Sequence, residues 1–288
     1  MKTYFECFPC FFRQALEIGR LLKLDTAQQK AFIDEVAALI PRFSLDSTPP
    51  QMARQIYRVI TQKYGAMDPY REIKIKSNRL AMEIYPDMEA KMARASDRLL
   101  MAVEIAIAGN IIDYGVKNSL DIEREIEKLI SQDFSAADRR VFDYDHFRQD
   151  VEAAQRILYI GDNAGEIVFD KILVADLLRR GKQVTFGVRG QPIINDAVME
   201  DARFCGMTDM VPVISSGLDA PGTILELCSS EFQEIFKAAD VIVSKGQGNF
   251  ETLSDEKYDI YFLFKAKCPV VADKVGAHLG DIVLKRCR

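Results

Sequence analysis

The second half of this chain alternates short strand-like runs with helix-like runs, and that alternation limits the folds open to it. RILYI (156–160), QVTFGV (183–188), MVPVI (210–214), VIVS (241–244), YFLF (261–264) and PVVAD (269–273) are short and rich in β-branched or aromatic residues. Helical stretches lie between most of them. Strands joined by helical crossovers run parallel, and helices then cover both faces of the sheet. The expected fold is α/β: a doubly wound, mostly parallel sheet in a three-layer α/β/α, Rossmann-like arrangement. In such sheets ligands bind beyond the carboxyl ends of the strands. The residues directly after each strand are therefore the first place to look for chemistry.

The first half differs in character. It reads as helices at roughly 10–23, 27–40, 51–64, 70–84, 88–109, 121–132 and 145–154. Thr26 is a plausible N-cap for one helix, and Thr48, followed by Pro49 and Pro50, opens another. The run from Met88 to Ala108 is the longest, and it sets Met92, Leu99, Val103 and Ile107 on one face. These patterns predict a helical domain over residues 1–150, with room for a separate N-terminal helical cap. An α/β domain that binds metal and phosphate is expected over 151–288.

Charge and cysteine usage narrow the function classes. Net charge is −5 and the pI about 5.3, which argues against nucleic acid as the main partner. No long apolar leader opens the sequence, and no apolar stretch is long enough for a membrane span. Six cysteines scattered over 288 residues suit reduced thiols in a cytoplasm better than a disulfide framework.

Three loops after strands carry candidate chemistry. The first is Gly161-Asp162-Asn163-Ala164-Gly165-Glu166, where adjacent Asp162 and Asn163 both offer a side-chain oxygen. A loop can aim both at one point, whereas a strand sends them to opposite faces. The second holds Arg189 and, further on, Asp196. Asp162, Asn163 and Asp196 are equally suited to capping the helices that follow, so each taken singly is ambiguous. The third is Lys245-Gly246-Gln247-Gly248-Asn249, whose backbone N–H groups and lysine suit an anion, although it is not a Walker A sequence. Together, two carboxylates and an amide oxygen make a hard, oxygen-only shell for Mg²⁺ or Mn²⁺. The absence of His and Cys from the cluster argues against structural zinc.

GDNAGE, RGQPIINDA and KGQGNFETL resemble the signature loops of the damage-control phosphatase family, formerly a domain of unknown function. Cys7-Phe8-Pro9-Cys10, Asp68-Pro69-Tyr70 and Ala108-Gly109-Asn110-Ile111-Ile112-Asp113 resemble its prokaryotic branch. The resemblance covers nearly the whole chain. It implies a metal held by Asp162, Asn163 and Asp196, with Mn²⁺, Ni²⁺, Co²⁺ or Mg²⁺ as the ion. It implies phosphate contacts from Lys245 with Gly246 and Asn249 nearby, and a site bordered by Asn110 and Asp113. Arg189 completes the set of candidate phosphate-binding residues. The implied substrates are phosphate monoesters of small metabolites, such as sugar phosphates or damaged side products. Asp162, Asp113 and Glu166 are the candidate catalytic carboxylates.

Two rival readings remain at this point. One is an S-adenosylmethionine- or nucleotide-binding, carboxyl methyltransferase-like protein, although GDNAGE is not GxGxxG and the region about 20 residues later is Arg179-Arg180-Gly181-Lys182. The other is a non-catalytic metal- or metabolite-binding protein. Cys7 and Cys10 form a CxxC with no second CxxC. Cys268 or Cys287 could join them only if the fold brought the two ends of the chain together.

Overall fold

The computed structural model describes residues 1–65, 68–109 and 139–288. Its sheet contains β1 (Val141–Phe142), β2 (Arg156–Ile160), β3 (Gln183–Val188), β4 (Val213–Ser215), β5 (Val241–Lys245), β6 (Ile260–Lys265) and β7 (Ile282–Cys287). They lie in the order β1-β7-β6-β5-β2-β3-β4. Every pair is parallel except β6 with β7.

Side-chain alternation along each strand divides the core. Ile157 and Tyr159 of β2, with Tyr261 and Leu263 of β6, face one layer; Leu158, Ile160, Phe262 and Phe264 face the other. Helices Arg71–Ala93, Arg98–Ala108 and Glu166–Arg179 cover the first face. Helices Ser230–Ala238, Gln247–Leu253 and Pro269–Val275 cover the second. A third core joins the helices Phe8–Leu21, Thr26–Leu39 and Pro49–Tyr64 and includes Ile193 from the loop after β3.

The topology creates the crevice in which a site is expected. From β2 the chain steps to β3 and β4 on one side, then returns to β5 on the other. The carboxyl ends of β2 and β5 therefore flank the switch point.

Most expected elements are present, and the exceptions have local causes. PVVAD is the helix Pro269–Val275, not a strand. Pro269 stands in its first turn, where its missing N–H costs nothing, and Val271, Ala272 and Val275 bury one face. The final strand β7 escaped the pattern reading. The run from Met88 to Ala108 is divided between two helices: the first extends through Pro86 to Ala93, and the second begins at Arg98. Ile84, Met88 and Met92 are buried along that stripe, and their packing outweighs the roughly 3 kcal/mol that an interior proline costs a helix. Asp97 sets the new start by accepting from Leu100 N at 3.1 Å. Asp25, not Thr26, caps the second helix through a capping box with Gln28. Thr48 caps the third as expected. The helix expected at 121–132 lies outside the described residues. Among the described residues no helix is long and apolar enough to cross a membrane.

Asp97 also accepts from the Tyr144 hydroxyl at 2.7 Å, so it ties the helical region to the helix Tyr144–Ala153. Asp97→Ala should lower unfolding stability by about 1–2 kcal/mol, read as a shifted urea midpoint with unchanged slope.

Candidate active site

The loops after β2 and β3 are joined by backbone bonds before any side chain is considered. Ala197 N donates to Asp162 O at 2.7 Å, and Ala164 N to Asn195 O at 2.9 Å. An isolated antiparallel bridge pairs Asn163 with Asp196. These bonds set Asp162, Asn163 and Asp196 side by side on the wall of one cavity of about 410 Å³. Asp196 does not cap the next helix, because Val198 holds that position and Asp201 accepts from Val198 N at 3.0 Å.

The charge density here is high for a buried place. Burial raises the Asp162 carboxyl well above the usual carboxylate range, and the carboxylates of Asp196 and Glu166 raise it further, against Arg189 and Lys267. The Asn163 amide donates to Asp162 Oδ2 at 3.0 Å and leans toward Glu166 Oε2 at 3.4 Å. Arg189 is 2% exposed and lies behind the carboxylates. Its Nε donates to Asp196 Oδ2 at 2.6 Å, and its other nitrogens reach Thr223, Asn249 and, at 3.7 Å, Asp162. Asp162, Asp196 and the Asn163 amide offer oxygen donors of the hard type a divalent cation takes, and among the described residues no group of three or more acidic, histidine or cysteine side chains is placed to hold one.

The other sequence candidates occupy different depths. Lys245 is fully buried at the end of β5. Its ammonium donates to Ala106 O and Asp170 Oδ1, both at 2.7 Å, and to Glu166. Three acceptors use all three of its N–H donors. Burial alone would lower its pKa, but Asp170 and Glu166 outweigh that and hold it at about 12. Burial likewise lifts Asp170 to about 6 against the pull of Lys245. Asn249, also fully buried, accepts from Arg189 and Thr223 and donates to Gly161 O and Lys245 O. Gly246 has φ +80, and a Cβ there would overlap the Asp162 carboxylate. Asn110 and Asp113 lie outside the described residues.

Several residues absent from the sequence reading hold the site. Asn78 Oδ1 accepts from Gly165 N at 2.6 Å, while its amide and the Lys74 ammonium bond Asp201. Tyr57 OH accepts from Ile194 N at 2.9 Å, where Ile194 adopts φ 45. Lys267 lines the cavity just past the carboxyl end of β6. Like Asp162 it closely follows a strand. The helix Phe8–Leu21 supplies the opposing wall with Cys10, Arg13 and Gln14, and Cys268 also lines the cavity.

Comparisons with known proteins show the family and the fold. The profile of the Damage-control phosphatase ARMT1-like domain matches residues 3–283. A damage-control phosphatase of Pyrococcus horikoshii is 35% identical over 290 residues, covering 99% of this chain and 98% of its own. One from Archaeoglobus fulgidus is 31% identical over 288 residues, covering 99% of each. The crystal structure of a DUF89 family protein from Pyrococcus horikoshii superposes with a TM-score of 0.89 at 34% identity, covering 100% of both chains.

Two outcomes follow from the buried charges. Lys245→Met leaves Glu166 and Asp170 without their counterion and should cost about 3–5 kcal/mol in urea unfolding. Half-buried Glu251 on the cavity wall is raised from 4.5 to about 7, chiefly by burial. The folded state thus holds this proton more tightly than the unfolded state between those values. Stability should fall as pH rises from about 4.5 through about 7, and Glu251→Gln should flatten that part of the profile.

Proposed function

The chain belongs to the damage-control phosphatase ARMT1-like domain family and is a phosphatase, and we propose that it hydrolyses phosphate monoesters of small metabolites at the Asp162–Asn163–Asp196 cluster with a divalent metal ion. The observation that carries this reading is the bridging of two loops that sets two carboxylates and an amide beside one cavity. Asp162, Asn163 and Asp196 would hold the ion, which would supply polarisation of a phosphoryl oxygen and offset developing charge.

The chain's own residues divide the remaining work. Lys267, at the cavity wall, is the cation that meets the phosphoryl group. Lys245, Arg189 and Asn249 act from behind: their donors and acceptors are engaged with Glu166, Asp170, Asp196 and one another. Arg189 and Lys245 hold the carboxylates in place, and Asn249 fixes Arg189. Gly246 leaves room for Asp162. Asp162 has the reach of a catalytic carboxylate at the cavity, whereas Glu166, 1% exposed and bound to Lys245, orients Asn163. The helical half, taken as residues 1–150, contributes the wall that selects the substrate, and residues 151–288 contribute the floor. Six free thiols support a reducing, cytoplasmic setting.

Purified protein should release phosphate from a panel of sugar phosphates only when a divalent metal is supplied. Asp162→Ala and Asp196→Ala should lose metal, read by elemental analysis, together with turnover. Lys267→Ala should keep metal and lose about 10²–10³-fold in kcat/KM. Metal-independent turnover that survives in Asp162→Ala would overturn the assignment.

A further inference from the structure

The cavity wall contributed by the first helix carries chemistry that phosphate hydrolysis does not use. Cys7 stands at the N-cap position of the helix Phe8–Leu21, Pro9 is in its first turn, and Cys10 follows one turn on. Cys7 is 9% exposed and packs in the core of the first three helices, while Cys10 is exposed. Both line the same cavity as Asp162 and Asp196. The Cys10 sulfur turns back along the helix toward Glu6 O, at 4.0 Å, and so lies over the turn that carries Cys7.

This is the placement from which a CxxC at a helix N-terminus forms a disulfide. Residues three apart on a helix have Cβ atoms about 5–6 Å apart, and a disulfide brings them to about 3.8 Å. The first turn must therefore tighten, in the manner of the 3-10 turn Phe5–Cys7 that leads into it. That movement acts on the helix face whose next residues, Arg13, Gln14 and Glu17, line the cavity.

We propose that Cys7 and Cys10 form a reversible redox pair that couples phosphatase activity to hydroperoxide-class oxidants. Burial raises the Cys10 thiol above its usual range, so it is the minor thiolate fraction of this exposed sulfur that attacks the peroxide oxygen; the O–O bond breaks, and an alcohol or water leaves. The Cys7 sulfur then displaces water from the resulting sulfenic acid. In sum two thiols lose two protons and two electrons, one S–S bond forms, and the peroxide is reduced. Cys268, on the same cavity, is the thiol that competes for Cys10.

The test treats full-length protein with hydrogen peroxide and then with a dithiol, following peptide masses and turnover together. The expected result is loss of two hydrogens from the peptide holding Cys7 and Cys10, a several-fold fall in kcat/KM, and recovery of both on reduction. Cys10→Ser should show neither change, and Cys268→Ser should retain both. A Cys10–Cys268 link, a peptide that stays reduced while other thiols oxidise, or a Cys7–Cys10 disulfide without effect on turnover would each overturn the proposal. So would thiols that resist oxidation until a chelator removes a thiophilic metal, because the cluster would then be a metal site. The mass readout stands apart from the phosphatase reading, so failure of one leaves the other intact.

Discussion

The site rests on an excess of buried negative charge held by two buried cations. Asp162, Asp196, Glu166 and Asp170 crowd around the carboxyl end of β2 in the interior. Unpaired carboxylates there would take up protons, because burial disfavours the charged form. Arg189 answers Asp196 and Asp162 from below, and Lys245 answers Glu166 and Asp170. Asn249 links the two cations, accepting from Arg189 and donating to the Lys245 carbonyl. Burial raises the Asp162 carboxyl well above the usual carboxylate range, and the neighbouring Asp196 and Glu166 carboxylates raise it further against Arg189.

A second set of hydrogen bonds ties the helical region to the loops of the sheet. Asn78 and Lys74 bond Asp201 and Gly165, and Tyr57 holds Ile194 at its left-handed turn. The loops that carry the metal candidates are thus clamped from both sides. Precise spacing of such groups matters because a displacement of about 1 Å can cost about 100-fold in rate. The wall that faces them includes Cys10 of the first helix and Cys7 at its N-cap.

The strands were legible where β-branched and aromatic residues cluster between helical runs, as in β2, β3 and β5. PVVAD misled because its composition suits a strand, yet Pro269 and the spacing of Val271, Ala272 and Val275 suit a helix that packs on the sheet. The break before Arg98 was hidden because apolar periodicity runs on across it; only Asp97 marks the stop. At the site, Asp162, Asn163 and Asp196 were visible as loop residues after strands. Lys267 follows the same rule but sits in a run without other signals. Lys245 read as a free cation because its loop looks like an anion cradle, and nothing local reveals Glu166 and Asp170 closing around it.

By itself the sequence determined the fold class and the family, and it singled out the loops after strands as candidates for chemistry. Those features are local: periodicity, turn residues and short motifs are written in neighbouring positions. Only the tertiary structure decided which charges face the cavity and which face each other. It also decided that residues 7 and 10 share a wall with residue 268. The reason is that burial and pairing depend on contacts between segments far apart in the chain, and a charged side chain reads the same in sequence whether it ends beside solvent or inside an ion pair.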